Sequence, residues 1–201
     1  ENGEKLAVFG DYDVDGITST CLLTDYLRSR GADVTMHIPR RIEEGYGLGC
    51  DAIRALSESG VTLIVTVDCG ITANQEAQLC KELGIDLVIT DHHECKSELP
   101  QAAALVDPHR KDQPQPVTEM AGVGVAFKLA AAIEGDQEKL LDQYCDFLCL
   151  GTVADVMPLT GENRTMVARG LRALANPKRV GIAALMAECA VQKGPVTAGT
   201  D

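Results

Sequence analysis

Along its N-terminal half the chain alternates short apolar runs with stretches of helical spacing, and few folds accept that alternation. Lys5 to Gly10, Val34 to Ile38, Thr62 to Val67 and Asp86 to Thr90 read as strands, with a fifth at Ala104 to Val106. Between them Ile17 to Arg30, Cys50 to Ser59 and Ala73 to Leu83 have the spacing of helices. Strands separated by helices of this length imply βαβ units and a parallel sheet. Leu63-Ile-Val-Thr-Val67 lacks polar alternation, as a strand covered on both faces does. Beyond a polar, Pro-containing loop from His109 to Thr118 the pattern becomes helical, over Gly122–Ile133, Glu138–Leu150, Arg164–Ala175 and Gly181–Ala190. The expectation is an α/β fold: an open, mostly parallel five-stranded sheet with helices on both faces, followed by a helical segment. Residues 1–108 would form the sheet part, 109–192 the helical part of the same domain, and 193–201 a tail or linker. A chain of 201 residues holds one such domain but not two large ones.

The polar residues collect where the strands stop. Asp11-Tyr-Asp13-Val-Asp15-Gly16 follows the first strand, Asp68-Cys69-Gly70 the third, and Asp91-His92-His93 the fourth. In an open parallel sheet these carboxyl ends share one edge, which is where the fold forms its ligand crevice. Converging Asp11, Asp13, Asp15, Asp68, Asp91, His92 and His93 is unfavourable unless cations neutralise the acids, so a metal site follows. Oxygen and imidazole donors suit Mn2+, with Mg2+ the other choice. There are more candidate ligands than one ion needs, which points to two ions about 4 Å apart. Each motif alone has a plainer reading: an Asp-x-Asp is a turn or a cap, Asp15 could cap the next helix, and a His-His pair is weak. Cys69 and Cys95 could serve zinc, but no tetrahedral set is apparent. Asp155, in Gly151-Thr-Val-Ala-Asp155-Val-Met-Pro158, could be a helix-boundary residue.

A net charge of −12 argues against general nucleic-acid coating but not against a local channel, because bound cations would reverse the sign of an acidic cleft. Arg40, Arg41, Arg110, Lys111, Arg164, Arg169 and Arg172 could line one edge, or could simply be solvated surface charges. The eight cysteines are scattered with no Cys-x-x-Cys pair, so reduced, mostly buried thiols are expected. No run approaches the roughly 18 apolar residues of a membrane span, and no signal peptide is evident. The expected location is the cytoplasm.

Taken together, these residues resemble the DHH phosphoesterase superfamily, and within it the RecJ-type single-strand-specific 5′ to 3′ DNA exonucleases. Asp11-Tyr-Asp-Val-Asp-Gly-Ile-Thr-Ser-Thr20 looks like the first motif, Val67-Asp-Cys-Gly70 the second, Asp91-His-His93 the third, and Gly151-Thr-Val-Ala-Asp155 the fourth. Pro39-Arg-Arg41-Ile-Glu-Glu-Gly-Tyr46-Gly-Leu and Ala121-Gly-Val-Gly-Val-Ala-Phe-Lys128 resemble the RecJ branch in particular.

The resemblance implies a two-metal phosphodiester hydrolase acting in DNA repair and recombination. Asp13 would hold one ion, Asp15 the other, and Asp68 would bridge them. His92 and Asp155 would complete the shells, with Asp11 a further ligand or an outer neighbour. His93 would face the scissile phosphate, Asp91 would orient an imidazole, and Arg41 or Arg164 would neutralise phosphate oxygens. Asp68, His92 and His93 would carry catalysis. Single-stranded DNA is the expected partner, with other repair or replication proteins, for a monomeric chain.

RecJ proteins continue into a Gly-Pro-Arg-Leu-Asn-Ala-Ala-Gly-Arg segment and a DHH-associated domain that these 201 residues lack. The chain therefore reads as a fragment that binds metal and cleaves DNA weakly or not at all. Two other readings compete. One is a nanoRNA or cyclic-dinucleotide phosphodiesterase, or a family II pyrophosphatase, although Phe9 stands where the pyrophosphatase pattern has a His. The other is a non-catalytic replication scaffold, which the filled ligand positions disfavour.

Overall fold

The computed structural model describes residues 3–112 and 119–189. Five strands form one sheet in the order β2-β1-β3-β4-β5, namely β1 Lys5–Phe9, β2 Asp33–His37, β3 Leu63–Val67, β4 Asp86–Thr90 and β5 Ala104–Val106. All four pairings are parallel, so the sheet is wholly rather than mostly parallel. The strand order reverses about β1, the kind of switch point at which doubly wound sheets open a crevice.

Helices cover both faces. Alternate strand residues sort to opposite sides: Val8, Val65 and Val67 pack with α1 (Val14–Ser29), α4 (Gly122–Glu134) and α5 (Gln137–Ala154). Ala7, Phe9, Ile64, Leu87 and Ile89 pack with α2 (Cys50–Glu58) and α3 (Asn74–Glu82). That two-sided burial explains the unbroken apolar character of β3. Helices α6 (Gly161–Leu174) and α7 (Val180–Glu188) add a smaller core against α5 around Cys149, Val167, Leu174 and Ile182. The helical segment is thus continuous with the sheet's core through α4 and α5.

Helix ends differ from the expected ones for local reasons. Helix α1 begins at Val14 rather than Ile17 because the Asp13 side chain caps it, accepting from the Gly16 N–H at 2.9 Å. Capping therefore falls to Asp13 and not to Asp15. Helix α5 runs past Leu150 to Ala154, and α6 starts at Gly161 rather than Arg164. The tail at 193–201, the final residue of the helix expected to reach Ala190, and loop residues 113–118 lie outside the described residues.

All eight cysteines are free, four of them buried and only Cys189 exposed. Among the described residues no helix is long and apolar enough to cross a membrane.

Candidate metal centre

Because the sheet is parallel, the segments after β1, β3 and β4 emerge on one edge, and α5 delivers a fourth segment there from its C-terminal end. Three groups of side chains offer ligand atoms all within 4.8 Å of one another: Asp11, Asp13 and Asp68; Asp15, His92 and Asp155; and Asp68, His92 and His93. Asp68 and His92 link the groups. The His92 Nε2 lies 3.0 Å from Asp68 Oδ1, 3.8 Å from Asp15 Oδ2 and 3.7 Å from Asp155 Oδ2.

Local backbone geometry aims each carboxylate. Asp68 follows β3 with φ of 59°, a left-handed conformation that turns the chain sharply at the strand end. Asp15 sits in the first turn of α1 and is buried. Its Oδ2 accepts from the Gly122 N–H at 2.6 Å and its Oδ1 from the Val123 N–H at 2.9 Å, so it rests against the positive end of α4. Asp155 is the C-cap of α5, and Val156 after it takes φ of 57°. The Val156 N–H donates to the Val153 carbonyl and the Met157 N–H to the Thr152 carbonyl, a Schellman ending with valine in the place where glycine is usual.

Asp91 is also buried, but it belongs to none of the three ligand groups. Its Oδ2 accepts from the Ile71 N–H at 2.9 Å, and its Oδ1 accepts from the His92 N–H at 2.7 Å and contacts the His93 Nδ1 at 2.7 Å. It therefore fixes the loop and orients the His93 imidazole, which is 46% exposed at the cleft.

Burial and mutual repulsion among the acids dominate the electrostatics of the cluster. Burial pushes Asp68 up to about 8, helped by the neighbouring charge of Asp13. Burial and the charge of Asp68 push Asp15 up to about 7, although the α4 amides oppose this. Burial also raises Asp11 and Asp155. The hydrogen bond that the His93 ring donates to Asp91 pushes His93 up to about 9. Burial works against ionised Asp91, yet the bonds from His93 and from the Ile71 and His92 amides hold it below its ordinary value. Asp11 Oδ1, Asp68 Oδ1 and Asp155 Oδ2 are buried without a hydrogen-bond partner among the described residues. Buried carboxylate oxygens without donors, on residues whose ligand atoms cluster, fit hard divalent cations. No cysteine joins any of these groups, so the zinc alternative at Cys69 and Cys95 gains no geometric support.

The basic residues divide. Arg41 is exposed, with its guanidinium 5.2 Å from the centre of the Tyr12 ring. Tyr12 lies between Asp11 and Asp13, so Arg41 stands at the rim of the cluster. Arg164 is exposed in the first turn of α6 and pairs with no acid among the described residues. Its buried neighbour Asn163 makes the structural bonds there, to the Glu119 and Pro158 carbonyls. Arg40, Arg110 and Arg169 are tied to Glu43, to Asp112, and to Glu138 and Asp142 respectively.

Three features escape a reading of the sequence alone. The Tyr46 hydroxyl lies 3.2 Å from the His93 Nε2, with its ring edge-on to Tyr12. Its flanking Gly45 and Gly47, both at positive φ, were the available signal. Asp107, at the end of β5, is buried, pushed up by desolvation to about 6, and capped by the His109 N–H at 2.7 Å; its position after the fifth strand was the clue. The third is the pair of amides on Asp15, which no local pattern announces.

Comparison with known proteins identifies the family and the fold. The model of the DHH family, N-terminal domain, matches residues 5–152. The single-stranded-DNA-specific exonuclease RecJ of Bacillus subtilis is 46% identical over 183 residues, covering 91% of this chain and 23% of that protein. A crystal structure of exonuclease RecJ bound to manganese superposes with a TM-score of 0.84 at 36% identity, covering 98% of this chain and 50% of the other. RecJ from Thermus thermophilus in complex with Mn2+ gives 0.79 at 33% identity, covering 98% and 28%. The chain thus spans about a quarter of the length of the Bacillus relative and half of the manganese-bound structure. The family model covers well over half of the chain, and the similarity to the RecJ exonucleases extends over nearly all of it: the chain belongs to the DHH family.

Proposed function

We propose that the chain is the metal-binding DHH part of a two-metal phosphodiester hydrolase, a RecJ-like 5′ to 3′ exonuclease that acts on single-stranded DNA in repair and recombination. The observation that carries this reading is the pair of adjacent ligand groups, Asp11/Asp13/Asp68 and Asp15/His92/Asp155, joined by the 3.0 Å approach of His92 to Asp68. Asp13 and Asp15 would hold different ions, Asp68 would be shared by both, and His92, Asp155 and Asp11 would supply the remaining ligands. The oxygen-rich set with one imidazole suits Mn2+, with Mg2+ as the substitute. Such ions, when bound, lower the pKa of water and stabilise charge on the attacking and leaving oxygens.

The protein's own groups do the rest. The α4 amides keep Asp15 in place, and Asp91 holds His93 with Nε2 toward the cleft, where a protonated imidazole meets a phosphate oxygen. Arg41, held over Tyr12, supplies a second positive group at the rim, and Arg164 remains an assignment by resemblance. Residues 1–108 and 109–192 act as one catalytic domain. The protein works in the cytoplasm as a monomer, alongside other repair or replication proteins.

The test is hydrolysis by the full-length protein with Mn2+, comparing end-labelled single-stranded DNA, dinucleotides and pyrophosphate. Release of nucleotides from the 5′ end of DNA is expected. Faster cleavage of dinucleotides or pyrophosphate would favour a small-substrate relative. A cellular role that survives Asp68→Ala and His92→Ala would favour a scaffold.

A further inference from the structure

We infer that Gly122, the first residue of α4, is a positioning residue that sets the spacing between two of the carboxylates, Asp15 and Asp68. The inference rests on the metal-site reading above and assigns a role to the Ala121-Gly-Val-Gly-Val segment that the motifs themselves leave open.

Gly122 touches both acids through its backbone. Its N–H donates to Asp15 Oδ2 at 2.6 Å. On its other side a Cβ, if present, would stand 2.6 Å from both the Cβ and Oδ1 of Asp68 and 2.8 Å from its Cγ. A real Cβ essentially never makes non-bonded contacts that short, so any side chain at this position must displace Asp68 or α4. Asp68 has little room to yield, being 2% exposed and fixed by a left-handed backbone at the end of β3. Asp15 is confined in the same way from the other side. A Cβ on Gly151 of α5 would meet Asp15 Oδ1 and Thr18 Oγ1, each at 2.6 Å.

The neighbouring glycine of the same helical turn provides the contrast. A Cβ on Gly124 would collide instead with the Met120 side chain, at Cγ and Sδ, a buried core residue that holds no ligand atom. Both glycines are buried in the first turn of α4, so alanine at either brings a similar gain in helix propensity. They differ in what the new methyl group would strike: a candidate metal-ligand carboxylate in one case, a core methionine in the other. Helix α4 thereby becomes part of the metal centre without contributing a ligand, and ion binding is linked to how α4 docks on the sheet.

The experiment is Mn2+ titration of the full-length protein, followed by the electron paramagnetic resonance of free Mn2+, for wild type, Gly122→Ala and Gly124→Ala, with Asp68→Ala as the blank. Melting in EDTA is measured alongside. Wild type and Gly124→Ala should bind two ions above the blank with equal affinity. Gly122→Ala should keep a cooperative melt near that of wild type while losing about tenfold or more in affinity for at least one ion, as mutations of residues that position metal ligands do. Unchanged binding by Gly122→Ala would overturn the inference. So would loss of its cooperative melt in EDTA, because the glycine would then serve core packing rather than ligand spacing. Wild type binding no more Mn2+ than Asp68→Ala would instead overturn the metal-site reading, and the inference with it.

Discussion

The His92 Nε2 lies 3.0 Å from Asp68 Oδ1, at the junction of two acidic groups, and both residues are buried. Burial has already pushed Asp68 up to about 8, so near that pH the metal-free fold carries a carboxylate that it disfavours ionising. Asp68→Asn should therefore stabilise the metal-free protein, by about 1–2 kcal/mol at pH 8. Asparagine also tolerates the left-handed backbone at this position. The same change should lower Mn2+-dependent hydrolysis by about three orders of magnitude, since the bridging anion is gone. Urea unfolding in EDTA, paired with assay of the full-length protein, checks both halves.

The pH dependence of stability follows from the same shifts. Asp68 at about 8 and Asp15 at about 7 both lie above their ordinary value of 3.8. A carboxyl raised in the folded state binds protons more tightly there than in the unfolded chain. Its contribution is complete below pH 4 and is lost as pH rises toward 8. His93, at about 9 against an ordinary 6.5, acts with the same sign at higher pH. The metal-free protein should thus lose stability between about pH 4 and pH 8 on account of this cluster. Mn2+ should reverse the trend, its stabilising effect being largest near pH 8 and vanishing in acid as the ligands protonate. Melting temperatures measured with and without Mn2+ across this range would show the crossing.

Asp91 acts on His93 rather than on the ions. Its 2.7 Å contact with Nδ1 is the main cause of the high imidazole pKa. In metal-free Asp91→Asn, the His93 ring should titrate at least one unit lower, because a neutral amide cannot stabilise imidazolium as a carboxylate does. Imidazole proton shifts followed by NMR report this directly. An unchanged titration would mean that the neighbouring acids, not Asp91, hold the proton.

Val156 is held at φ of 57° while its side chain is 86% exposed, so little packing offsets the backbone cost. Val156→Gly should raise stability by about 0.5–1 kcal/mol, the left-handed penalty for a branched residue less the added freedom of glycine in the unfolded chain. The Schellman bonds that place Asp155 should survive, so Mn2+ affinity should stay within about twofold of wild type. Denaturation midpoints and a metal titration test the two statements together.

Much of this arrangement is legible in the residues because it follows from short-range chemistry. Strand β3 reads as a doubly covered strand from its own five side chains, and the acids that follow β1, β3 and β4 mark the ligand edge once the sheet is parallel. Helix ends were less legible. The start of α1 depends on which of Asp11, Asp13 and Asp15 turns back to cap it, and the end of α5 lacks its usual glycine signal. The bonds from Gly122 and Val123 to Asp15 span 107 and 108 residues and exist only because α4 docks beside α1. The approach of Tyr46 to His93 is likewise a product of loop packing. No periodicity encodes either.

The central claim is that Asp68 stands between two ions. The most direct measurement is anomalous diffraction at the manganese edge from crystals of the protein soaked in Mn2+. Two peaks are expected beside Asp68, about 4 Å apart. One should be flanked by Asp11 and Asp13, the other by Asp15, His92 and Asp155. A single peak, or two that leave Asp68 out of contact with either ion, would contradict the account.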